Sequence, residues 1–304
     1  MKNMAKVTGL TKVTFNREAN KWMSPDLERR LTKQAFCKAV SFWGEHTLAK
    51  KITVDFDSYY ENLLVAKDSH LFQKGGIEVK DHINLFVILK ILDVSFYIES
   101  GVFTGSSLHA ALTALEPQDV YGIDPNLKNL NGLVKDMITN RIETVNDFEK
   151  LNFTQFANNK IVYFDDHIDT ADRMSSALNK GFNYAIFDDS TGFEGIGQRQ
   201  YPALPTLGML ESLSVLQAGD EFAWSVPVSG FRNRLKRIFA GDIYQKYMRM
   251  HVTIDQSMID KMHQMHKAIE WVMKFPDLSE YLFSNHVGRL NNTTKYLVKL
   301  KNDK

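Results

Sequence analysis

Residues 96–107, FYIESGVFTGSS, carry an apolar strand into an acid, Glu99, then through two glycines, Gly101 and Gly105, to a helix opener, Ser106-Ser107. A strand-to-helix turn this poor in side chains lets the backbone approach a ligand closely, and the free N–H groups of the following helix face whatever sits there. The segment reads as a nucleotide-type cofactor loop in an α/β sheet, where ligands bind beyond the carboxyl ends of the strands.

The details of the turn narrow the cofactor. A dinucleotide fingerprint needs a second glycine two positions after Gly101, but Phe103 stands there, placing a ring where a pyrophosphate needs bare backbone. A phosphate-cradling P-loop needs four residues between its glycines and a lysine after them; three intervene here, and Ser106 follows. A second acid, Asp124, followed by Pro125 in VYGIDPN (120–126), lies twenty-five positions after Glu99. That is close to the spacing of a strand, a helix and a second strand. A glycine turn after an apolar strand is common in α/β proteins, and Asp124 in register is what lifts this one above that background.

E-x-G-x-x-x-G at the end of a first strand, with an acid ending the second, resembles the first motifs of class I S-adenosylmethionine-dependent methyltransferases. The resemblance implies that Glu99, Gly101, Phe103, Gly105, Ser106 and Ser107 surround the methionine part of S-adenosylmethionine, and that Asp124, with Pro125 beside it, holds the ribose hydroxyls. The run FDDHIDTADRMSSALNKGFNYAIFDD also resembles a poorly characterised methyltransferase-like group, through Asp165-Asp166-His167, Arg173, Gly181-Phe182 and Asp188-Asp189. It implies Asp165 or Asp166 near adenine.

Outward from the turn, strand and helix alternate from residue 81. Strands are expected at 94–99, 119–124, 160–165, 183–188 and 220–226, with helices at 81–92, 106–115, 127–139, 168–180 and 203–216. Residues 229–275 read as helical with Met-rich faces, and EYLFSNHVGRL with KYLVKLK as a final hairpin turning at Asn291-Asn292. The expected fold class is α/β: a doubly wound, mostly parallel seven-stranded sheet, class I methyltransferase-like, with a helical N-terminal extension. Residues 1–80, with helical runs at 25–49 and 57–67, form an N-terminal cap or lid, and 81–304 form the Rossmann-like domain.

Four strands end in acid: Glu99, Asp124, Asp165-Asp166 and Asp188-Asp189. The last pair stands where this fold brings cofactor and acceptor together. Asp188 and Asp189 are therefore candidate catalytic residues and a candidate Mg²⁺ pair, since a hard cation would orient and acidify an acceptor hydroxyl. His167 is the competing base, as its titration range suits proton removal near neutrality. A single Asp at such a position serves equally well as a helix cap. Strand five, EFAWSVPV, ends without an acid, which weighs against the metal.

The 304 residues are 44% apolar, and 37 basic against 36 acidic side chains leave a formal net charge of +1, so no global field draws nucleic acid or an anionic membrane. One cysteine, Cys37, excludes an internal disulfide and is expected to pack. The N-terminal residues lack a leader-like apolar run, and the apolar stretches are short and Lys-interrupted, so a cytoplasmic protein is expected. FRNRLKR (231–237) reads as a solvated helix face before it reads as an anion site, and His263 with His266 lack the third ligand of a zinc motif.

The function expected is S-adenosylmethionine-dependent methyl transfer to a small hydroxylated acceptor, a sugar among the candidates, with O-methylation favoured and Mg²⁺ as a second cofactor. The partner is that small molecule; nucleic acid and membrane are not expected, and self-association stays open. The alternatives are a non-catalytic cofactor-binding scaffold and a metal-dependent glycan or phosphoester enzyme on the same fold.

Overall fold

The computed structural model describes residues 11–14, 20–47, 54–72, 76–138, 140–156, 159–188, 204–227, 247–282 and 295–301. Its centre is a seven-stranded sheet. The strands are β3 (Phe96–Ser100), β4 (Val120–Ile123), β5 (Ile142–Glu143), β6 (Lys160–Phe164), β7 (Tyr184–Phe187), β10 (Ile269–Lys274) and β11 (Tyr296–Leu300). Their spatial order is β10-β11-β7-β6-β3-β4-β5, with every pairing parallel except the two made by β11. Order and directions together are those of the class I methyltransferase fold: two half-sheets diverge from β3, and the last strand inserts antiparallel beside the fifth.

Strands buried on both faces read as continuous apolar runs, and β3 is such a strand along its whole length. Tyr97, Ile161, Tyr163, Ile186 and Leu297 face a core shared with α1 (Pro25–His46), α2 (Phe56–Asp68), α3 (Val79–Ile91) and α4 (Ser106–Ala114). Phe96, Ile98, Val162, Phe164, Phe187 and Val298 face the second core, which also takes in Ala171, Met174 and Ala177 of α6 (Thr170–Asn179) and Met265 of α8 (Gln256–Ala268). Helix α3 is buried almost all round, as a helix with apolar residues on every side must be. It lies between α1 and α4, so the N-terminal helices share their core with the helix that follows the glycine turn. Trp43 of α1 donates to Asn84 of α3 at 3.0 Å, and Asn84 in turn reaches the Pro276 carbonyl at 3.1 Å.

Four expectations need correction. The expected fifth strand of the sheet, 220–226, forms β8 (Glu221–Pro227), which among the described residues pairs with β9 (Tyr247–Thr253) in a separate two-stranded sheet. Residues 229–275 are not one helical run: β9, α8 and β10 share their described part, and β10 shows a period-two burial pattern under its methionine. The closing hairpin joins β10 to β11, not 280–290 to 295–301, and residues 279–282 are a short helix, α9. Where a helix was expected over 203–216, only α7 (Leu207–Leu210) forms. The turn at Asn291-Asn292 and the segment 231–237 lie outside the described residues.

A further small sheet pairs β1 (Thr11–Thr14) with β2 (Asn20–Met23), and α5 (Gly132–Ile138) follows β4. Cys37 is exposed rather than packed, and His263 and His266 point outward from α8 while Met262 and Met265 point inward. Among the described residues no helix is long and apolar enough to cross a membrane.

Candidate active site

The carboxyl ends of β3, β4, β6 and β7 open onto one rim. The ladder continues one residue past the strands: Gly101 donates to the Ile123 carbonyl at 2.9 Å, Asp165 to Ser100 at 2.8 Å and Asp188 to Phe164 at 3.1 Å. The acidic residues therefore start their loops at one level.

The glycine loop is shaped mostly by the protein itself. Gly101 has φ +95, and a Cβ there would lie 2.3 Å from the Asp165 carbonyl oxygen, so this glycine admits the neighbouring loop rather than a ligand. Gly105, at φ +83, caps α4 and packs on Val134. Phe103 is also left-handed, at φ +48, and the residue is 41% exposed. A non-glycine residue is held there at a cost, and the holding group is Asp124. One oxygen of that carboxylate accepts from the backbone N–H groups of Val102 (3.1 Å) and Phe103 (2.8 Å), and the other from Asn126 (2.7 Å). Asp124 is half-buried and Pro125 is exposed. A carboxylate has about four acceptor positions, so room remains on Asp124 toward the rim.

Glu99 is fully buried on the α4 side of the sheet. Tyr97 donates to one of its oxygens at 2.7 Å and Ser107 to the other at 2.6 Å. Burial pushes its carboxyl up to about 8, outweighing both hydrogen bonds, and the charge of Asp188 pushes the same way. Glu99 thus ties the start of α4 to β3. Ser106 works alongside it, its hydroxyl accepting the N–H of Ile77 at 2.8 Å.

On the other side of the switch point, Asp166 is largely enclosed, with its side chain 14% exposed, and is occupied. It accepts from Ser100 at 2.5 Å and pairs with Arg173 at 2.7 Å, and Arg173 also grips Asp147 through two bonds of 2.7 and 2.9 Å. Burial raises the Asp166 carboxyl against the pull of that guanidinium. The cap of α6 is Asp169, which accepts from Ala171 at 2.8 Å. Asp165 stands 4.0 Å from His167 Nε2, and His167 lies at φ +57 with its side chain 12% exposed.

At the end of β7, Asp188 is ion-paired with Lys295, and Lys295 lies 3.5 Å from Asp81 of α3. Asp189 lies outside the described residues. An ammonium already neutralises Asp188, so this carboxylate does not present itself to a divalent ion. Among the described residues no three His, Cys, Asp or Glu side chains gather as metal ligands.

Lys295, Asp81 and the Asp147 partner of Arg173 were missed by sequence reasoning. Lys295 is found only through sheet register: Tyr296 pairs with Phe187, which sets the preceding lysine against Asp188.

No protein-family model and no curated protein matches the chain. Among solved structures it is similar to the O-methyltransferase from Bacillus cereus in complex with SAH (12% identity, 73% of this chain and 100% of that one, TM-score 0.36). It is also similar to TomG, an O-methyltransferase from Streptomyces achromogenes involved in tomaymycin synthesis (12%, 73% and 98%, TM-score 0.37). A third is the SAH-bound methyltransferase PaMTH1 from Podospora anserina (9%, 88% and 96%, TM-score 0.37). The fold assignment rests on strand order and direction, to which scores of this size add nothing.

Proposed function

We propose that the protein transfers a methyl group from S-adenosylmethionine to an oxygen of a small hydroxylated acceptor, a sugar among the candidates. The observation that carries the proposal is Asp124: it ends the second strand of a class I methyltransferase sheet and organises the loop after the first, while keeping acceptor capacity at the rim. The one acceptor position left suits a ribose hydroxyl. The N–H groups at the start of α4 suit an anionic end of the ligand, because that helix has no side-chain cap.

Bound there, S-adenosylmethionine would supply an electrophilic methyl carbon on sulfur. The work left to the chain is alignment and removal of one proton. The chain's own part would be to take the acceptor hydroxyl's proton as the methyl group is transferred. Asp188 and His167 are, among the described residues, candidates at the β7 and β6 ends to take it, with Asp189 beside Asp188 in the sequence. Asp188 is only 6% exposed, so an acceptor reaching it must be slender, which favours a small molecule over a polymer.

Incubation with radiolabelled S-adenosylmethionine and a panel of sugars, phenols and hydroxy acids tests the proposal. Label transferred to any acceptor, and lost in Asp124→Ala, supports it. Cofactor binding with no transfer across the panel would favour the scaffold alternative.

A further inference from the structure

The acceptor end of the sheet carries its own cation. Lys295 immediately precedes β11, Asp188 immediately follows β7 and Asp81 lies in the first turn of α3; three distant segments meet at one ammonium. The side chains of Lys295, Asp188 and Asp81 are 6%, 9% and 14% exposed. Two carboxylates this poorly exposed are compensated by the positive charge between them. That is the task a divalent ion would otherwise perform on an acidic pair at this rim, and an ammonium and a divalent ion cannot share it without strong repulsion. The lysine comes from the strand that inserts antiparallel beside β7, so the sheet's own topology delivers the charge.

We infer that the Lys295 ammonium takes the place of a metal here, holding Asp81 and Asp188 so that the site has no requirement for a divalent cation. Lys295 is a positioning residue in this account, acting through Asp188. The inference concerns the same rim as the methyl-transfer proposal, yet its test reads ion binding without S-adenosylmethionine, so either can fail alone.

The test is Mn²⁺ binding by the full-length chain, followed by electron paramagnetic resonance and calorimetry. The wild type and Lys295→Arg are expected to bind no Mn²⁺ at this rim. Lys295→Met, which removes the charge and keeps the stem, is expected to gain about one ion per chain, and Asp188→Asn in that background should abolish the gain. A wild-type Mn²⁺ site that Asp188→Asn removes would overturn the inference. So would a folded Lys295→Met chain that gains no ion. If Lys295→Met does not fold, the wild type against Asp188→Asn still decides: a site lost on that substitution refutes the inference, and no site in either chain upholds it.

Discussion

Replacing Glu99 by Gln should flatten the alkaline side of the stability profile. The folded carboxyl is held up at about 8, chiefly by burial, against an ordinary 4.5. Between those values the native protein keeps a proton that the unfolded chain releases. The stability this proton supports is whole below pH 4.5 and is lost as pH rises through about 8, at about 1.4 kcal/mol per pH unit while the difference in bound protons is complete. Over the full interval that amounts to about 5 kcal/mol, and from pH 6.5 to 8.0 to about 2 kcal/mol. Gln has no proton to lose and keeps an acceptor for the Tyr97 hydroxyl, while the Ser107 hydroxyl can turn to accept from the amide. Urea unfolding at pH 6.5 and 8.0 measures the effect: the wild type should lose about 2 kcal/mol over that step and Glu99→Gln clearly less. Equal losses in the two proteins would show Glu99 already ionised at pH 6.5, its two donors outweighing burial, and would refute the reasoning.

Other consequences are open to the same kind of measurement. His82 and His109 share a bond of 3.0 Å in the core, and burial lowers both, His109 to about 4. The unfolded histidines take up protons from about 6.5 downward while the folded ones resist, so stability should fall as pH drops from 6.5 toward 4, and His109→Gln should lessen that fall in acid unfolding curves. Gly101→Ala should cost about 3 kcal/mol or more in denaturant unfolding, because its φ of +95 and the Asp165 carbonyl at 2.3 Å leave no place for a Cβ. Arg173→Met should cost about 3–5 kcal/mol by leaving Asp166 buried without its cation, and Asp166→Asn added to it should recover part of the loss. Tyr163→Phe should leave stability unchanged or raise it by about 1 kcal/mol, since the buried hydroxyl has no hydrogen-bond partner among the described residues.

What could be read in advance follows the range of the interactions. The β3 turn, the β4 acid and the helices expected at 25–49, 57–67 and 81–92 declare themselves through local apolar runs and glycines, and the structure places them at 25–46, 56–68 and 79–91. The Met-rich reading of 229–275 as one helical run misses the strand that carries Met273. That strand, Ile269–Lys274, alternates half-buried and exposed residues on an edge, and its partner lies beyond residue 294. The acids at strand ends were visible as residues but not as partnerships. Nothing in the local sequence says that Asp166 belongs to Arg173 and Ser100, that Glu99 lies beneath Ser107, or that Asp188 meets a lysine more than a hundred positions away. Those pairings exist only once seven strands are in register.

The most direct test of the central claim is calorimetric titration of the full-length chain with S-adenosylmethionine and S-adenosylhomocysteine, alongside Asp124→Ala. The account expects about one ligand bound per chain, and binding at least about tenfold weaker in the variant, since a hydrogen bond from a hydroxyl to a charged, half-buried carboxylate is worth about 1.4 kcal/mol or more. Heat of binding from neither ligand at millimolar concentration, or identical binding by Asp124→Ala, would contradict it.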